Sequence, residues 1–126
     1  MGTQRIETDV CVVGGGPAGM IAALILAKQG RKVVVLEMHS DFHREYRGEV
    51  LVPRFSQMMD QIGLLPEILK LPHVTIDSLK WIYRDKPFAK LSMSKISKEF
   101  PFALWIPQPI LLEGLRKLAS SHSAIS

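Results

Sequence analysis

Short apolar runs alternate with longer helical patterns from the start of the chain. Asp9-Val10-Cys11-Val12-Val13 is β-branched and ends in glycines, the pattern of a strand buried on both faces of a parallel sheet. After Gly14-Gly15-Gly16, Pro17 stands where a first helical residue belongs, and Ala18 to Gln29 is rich in Ala, Leu, Ile and Met until Gly30 supplies a left-handed stop. Lys32-Val33-Val34-Val35-Leu36 repeats the strand pattern. Strand, helix and strand within about 30 residues form the right-handed crossover unit of parallel sheets, so the fold class is α/β.

Further along, Phe55, Met58, Met59 and Ile62 fall on one helical face after Pro53, and Gly63 closes the run. Leu79 to Tyr83 and Phe88 to Met93 are strand-like, and the polar turn Arg84-Asp85-Lys86-Pro87 between them predicts an antiparallel hairpin. Pro109 opens a helix in which Leu111, Leu112, Leu115 and Leu118 share a face. The organisation is thus a βαβ unit over 1–37, a loop and helices over 38–72, a small antiparallel insert over 73–107 and a helix over 108–126 leading to another strand at Ala124-Ile125. A parallel sheet normally continues past two strands. The chain is therefore expected to be the N-terminal part of a larger protein, with apolar faces exposed where further strands belong.

Composition narrows the classes. With 126 residues, 47% hydrophobic and 22% charged, the chain suits one globular domain and not a disordered or fibrous one. The single cysteine, Cys11, excludes an intrachain disulfide and points to a reducing, cytoplasmic setting; it reads as a small buried hydrophobe within the first strand. No run approaches the roughly 18–20 apolar residues of a transmembrane helix, and the N-terminus lacks the features of a signal peptide. The net charge of +4 is dispersed rather than blocked, which favours an anionic small ligand over nucleic acid.

Gly14-Gly15-Gly16-Pro17-Ala18-Gly19 fits G-x-G-x-x-G, follows a predicted strand, opens a predicted helix and is answered by Glu37 at the end of the next strand. That context makes it the Rossmann-like dinucleotide fingerprint. Gly14 permits the tight turn, Gly16 lets a pyrophosphate approach the backbone, and Gly19 lets helix and strand pack closely. The amides and dipole at the helix start hold phosphates. Glu37 can accept hydrogen bonds from ribose hydroxyls and would repel a 2′-phosphate. NAD and FAD present the same ADP half to this motif, so it does not separate them.

Arg44 and Arg47 follow the second strand, at the end of the sheet where ligands bind, and a guanidinium suits pyrophosphate or ribitol oxygens. Gly48 serves the turn, and Gln108, ahead of Pro109, could hydrogen-bond a ribityl hydroxyl. His39 and His43 are spaced i, i+4 without a third ligand, so no metal site is expected. Met58 and Met59 read as core fillers. Trp81, Tyr83, Phe88, Phe100, Phe102 and Trp105 read as core packing rather than a substrate pocket. No G-x-S-x-G, H-E-x-x-H or P-loop occurs, leaving hydrolase and phosphotransferase chemistry unsupported.

Three segments in order resemble the flavoprotein monooxygenases of the para-hydroxybenzoate hydroxylase type and the related flavin halogenases and geranylgeranyl reductases. Gly14 to Gly19 is similar to their GGGPAG opening. Arg47-Gly48-Glu49-Val50-Leu51-Val52-Pro53 is similar to their R-G-E-x-L-x-P stretch, and Gln108-Pro109-Ile110-Leu111-Leu112-Glu113-Gly114-Leu115 to a helix start whose polar leader contacts the flavin. The resemblance implies FAD as cofactor, held by Gly14 to Gly19, Glu37, Arg44, Arg47, Gly48 and Gln108. It also implies NAD(P)H as hydride donor and oxygen transfer to a small organic, often aromatic, substrate. No residue emerges as a catalytic acid or base, and this piece by itself is expected to bind the ADP half with little or no turnover. A reductase or halogenase of the same fold, an NAD-dependent dehydrogenase domain and a non-catalytic module are the alternatives. Trp81-Ile82-Tyr83 and Trp105-Ile106-Pro107 do not match the W-x-W-x-I segment of tryptophan-type halogenases.

Overall fold

The computed structural model describes residues 5–40 and 49–126. They fall into two compact units, Met1–Arg44 with Leu111–Ser126, and Glu45–Ile110.

The first unit is built on β1 (Val10–Val13), α1 (Pro17–Lys28) and β2 (Val33–Leu36). β1 and β2 pair in parallel, with Val10 opposite Val33 and Val13 opposite Leu36, and α1 packs against both. Met20, Ala23, Leu24 and Ala27 form its buried stripe. Gly30 ends the helix at φ +79°, where its amide bonds the Ala27 carbonyl and the Arg31 amide reaches back to Leu26. This is the Schellman closure that the glycine predicts. The next strand begins where expected: Val33 bridges Ile125 in parallel, and Val33 N–H donates to the Ala124 carbonyl at 2.8 Å.

β1 departs from the expectation of burial on both faces. Val10 and Val12 are half-buried, whereas Cys11 and Val13 are exposed. Side chains alternate across a strand, and only the α1 side of β1 is covered among the described residues. Cys11 is therefore an exposed thiol and not a core residue.

The second unit holds β3 (Val50–Leu51), α2 (Pro53–Gln61), α3 (Leu65–Leu69), β4 (Val74–Ile76), β5 (Ser78–Tyr83), β6 (Lys86–Ser92) and β7 (Ala103–Trp105). β7 is the centre of a three-stranded antiparallel sheet in the order β3-β7-β4, and β5 and β6 form a separate hairpin. β3 and β7 are too short to show a period in the sequence. Met59, Leu64, Leu65, Ile68, Met93, Ala103, Leu104 and Ile106 are buried. α2 turns Pro53, Ser56 and Met59 inward, so Met58 lies exposed instead of filling the core. Gly63, at φ +67°, closes α2 as Gly30 closes α1.

The hairpin loop is tighter than the polar run suggested. Arg84 (φ 47°) and Asp85 (φ 62°) alone make the turn. Positive φ at both central residues is the type I′ signature, whose twist matches that of the flanking strands. Lys86 and Pro87 are then the first residues of β6, and a register shift between Trp81 and Ile82 leaves Phe88 as the extra residue. Of the aromatic side chains expected in the core, only Phe100 is buried. Trp81, Tyr83 and Phe88 are exposed on the β5-β6 hairpin, and Trp105 is exposed at the end of β7.

The last helix, α4 (Gln108–Ser120), buries Leu111, Leu112, Leu115 and Ala119. Leu118 sits at the edge of that stripe, half-buried. Arg116 grips Glu113 with Nε–Oε2 at 3.0 Å. That hydrogen-bonded guanidinium holds the Glu113 carboxyl below its usual range.

Candidate functional site

The glycine loop joins the carboxyl end of β1 to the start of α1. Gly14, at φ +105°, turns the chain, and its amide donates to the Leu36 carbonyl at 2.7 Å. The next amide, Gly15 N–H, donates to Glu37 Oε2 at 2.7 Å. Gly16 is extended, φ −72° and ψ 179°, and its carbonyl accepts the first helical bond from Met20 at 2.9 Å. Pro17 then occupies the first helical position, where its missing N–H costs nothing.

Each glycine is required for a different reason. A Cβ on Gly19 would overlap the Gly14 carbonyl oxygen and lie 3.3 Å from Val12 Cγ1, so α1 can approach β1 only with hydrogen there. On Gly15 it would lie 3.1 Å from both Cβ and Oε2 of Glu37. On Gly16 it would meet nothing within 4 Å. The protein's own packing does not need glycine at Gly16, and hydrogen there leaves open space in front of the backbone.

That space faces the start of α1, where no side chain caps the helix. Among the described residues the Ala18 and Gly19 amides have no acceptor. Unpaired helix-start amides and the helix dipole attract an anion. The cradle thus fits the pyrophosphate of a dinucleotide.

Glu37 closes one side. Its Oε1 accepts the His39 backbone amide and, also at 2.9 Å, the ring Nδ1–H of His39, while Oε2 holds Gly15. The Glu37 side chain keeps 20% exposure, so the carboxylate is open to the solvent side of the cradle. Around it Val13, Leu36 and Met38 are exposed, at 83%, 51% and 88%, an unusual concentration of open apolar surface at the carboxyl ends of two strands.

The structure therefore gathers Gly14, Gly15, Gly16, Pro17, Ala18, Gly19 and Glu37 into one place. Arg44, Arg47 and Gly48 lie outside the described residues, as does His43. Gln108 belongs to the other unit, as the half-buried first residue of α4. Its amide donates to Glu49 Oε1 at 3.3 Å, and the Glu49 carbonyl accepts Ile106 N–H at 3.2 Å. Glu49, a member of the R-G-E-x-L-x-P stretch, is the carboxylate that caps this helix. His39, spaced from His43 as a metal ligand would be, is a partner of Glu37. Its position two residues beyond the acidic residue was the available signal. No group of three metal-binding side chains exists among the described residues.

Residues 7–125 match the family model described as FAD binding domain. The chain is 31% identical over 116 residues to 6-methylpretetramide 4-monooxygenase of Streptomyces rimosus, covering 92% of this chain and 28% of that protein. It is 36% identical over 95 residues to a 1H-pyrrole-2-carbonyl-[peptidyl-carrier protein] chlorinase of Pseudomonas fluorescens, covering 75% of this chain and 21% of that one. The crystal structure of p-nitrophenol 4-monooxygenase from Pseudomonas putida superposes with a TM-score of 0.83 at 28% identity, over 95% of this chain and 31% of that chain. The chain spans less than a third of the length of each of these proteins.

Proposed function

The chain belongs to the FAD binding domain family, and from this premise we propose that it is the cofactor-binding portion of a flavin-dependent monooxygenase acting on a small organic, aromatic substrate. The supporting observation is the cradle at Gly16, open where a Cβ would project, with the Ala18 and Gly19 amides at its back and the Glu37 carboxylate at its side.

In this reading the helix-start amides take the pyrophosphate, and Glu37 accepts the adenosine ribose hydroxyls. Val13, Leu36 and Met38 give the adenine an apolar flank. Arg44 and Arg47 neutralise pyrophosphate or ribitol oxygens, and Gln108 binds a ribityl hydroxyl. Bound there, FAD would supply the redox chemistry, hydride acceptance from NAD(P)H and transfer of one oxygen atom of O₂ to the substrate with the other leaving as water. This chain's own share is binding and orientation, with no residue singled out as an acid or base for that step. The setting is cytoplasmic; among the described residues no helix is long and apolar enough to cross a membrane. The chlorinase among the relatives makes halogenation the second reading, with the same cofactor held by the same loop.

Competitive binding to the purified chain tests the cofactor assignment. ADP and FAD should displace each other, FMN should displace neither, and a 2′-phosphate on the ADP should weaken binding about tenfold or more because it meets Glu37. Equal binding of FMN, or a preference for the 2′-phosphate, would contradict it.

A further inference from the structure

The Glu37 carboxylate is the only charged group of the described cradle, yet it stands at the end of a short strand on a side chain with three rotatable bonds. What aims it is visible in its contacts. Oε2 is tied to the Gly15 amide at 2.7 Å. Oε1 is tied twice to one residue, through the His39 amide at 2.9 Å and through His39 Nδ1 at 2.9 Å. A carboxylate cannot donate, so the ring contact requires the proton on Nδ1. Backbone and imidazole of His39 thus form a clamp on one oxygen, which leaves the other directed at the loop.

We propose that His39 is a positioning residue for ADP-half recognition: its imidazole holds Glu37 in the rotamer that braces Gly15 and sets the carboxylate beside the ribose. The inference rests on the cofactor reading above. It also accounts for the burial pattern, since the His39 side chain is 52% exposed while Glu37 is 20% exposed. A half-exposed imidazole contributes little to the core, so its effect should appear in ligand affinity rather than in folding.

The test uses the full chain as wild type, His39→Ala and His39→Asn, titrated with ADP and with FAD. An asparagine amide nitrogen lies as many bonds from Cβ as imidazole Nδ1, so it can make the same contact. His39→Ala should weaken both ligands about fivefold, the worth of one ordinary, partly solvated hydrogen bond. His39→Asn should bind within about twofold of wild type, and the unliganded melting midpoint should not move in either. His39→Ala binding as wild type does, or His39→Asn as weak as His39→Ala, overturns the proposal. If wild type binds neither ligand, the cofactor reading itself fails. The Gly15 amide resonance of the unliganded chain then decides on His39: it should shift in His39→Ala and return in His39→Asn, and an unmoved resonance refutes the clamp.

Discussion

At Gly19 an added methyl group collides with the backbone of Gly14, whereas at Gly16 it enters empty space. Gly16 also has a backbone conformation open to alanine, φ −72°. Two substitutions of identical chemistry should therefore act on different properties. Gly19→Ala should cost about 3 kcal/mol of folding stability through overpacking, read as an earlier urea midpoint. Gly16→Ala should leave that midpoint in place and lower ADP affinity more than about tenfold. At this scale the motif glycines and Glu37 were legible because their spacing encodes backbone needs. The need for Gly15 was not, since it arises from a side chain distant in sequence whose rotamer no local pattern reveals. The role of Glu49 was hidden for the same reason, since its carboxylate meets Gln108 N–H across 59 residues of chain; that of His39 is a contact only two residues long and depends on the rotamers of both side chains.

Among the elements, those with long periods and marked ends were readable. α1 starts at Pro17 and stops before Gly30, and the predicted stops Gly30 and Gly63 are both left-handed. β3 and β7 were not readable, because strands of two and three residues carry no measurable alternation. Burial on α2 was misassigned at Met58, since the inward stripe runs through Pro53 and Ser56, residues that a hydrophobic pattern passes over. The β5-β6 turn shows how backbone conformation can outweigh composition. Arg84 and Asp85 both sit in the left-handed region, where a residue with a Cβ pays about 1 kcal/mol. Replacing the pair by Asn-Gly, the preferred type I′ sequence, should raise hairpin stability by about 1 kcal/mol or more. Slower amide exchange across β5 and β6 would register it, and unchanged exchange would argue against this turn.

For the molecule as a whole, the α/β class and the start of another strand at Ile125 followed from the order of the elements alone. Burial did not follow, because it depends on what covers each face. Cys11 and Val13 on β1, and Trp81, Tyr83 and Phe88 on the hairpin, are apolar or aromatic positions without a covering layer among the described residues. A sequence pattern marks a side chain as suited to burial without stating that a partner layer is there. The central claim, that the helix-start amides of α1 and the Glu37 carboxylate grasp the ADP half of FAD, is independent of Cys11 and of the hairpin faces. It is tested most directly by following backbone amide resonances of the full chain during an ADP titration. The amides of Gly15, Gly16, Ala18 and Gly19 should shift together and saturate, with those of the β5-β6 hairpin unmoved. Saturable ADP binding that leaves the loop amides in place, or no binding at all, would contradict the account.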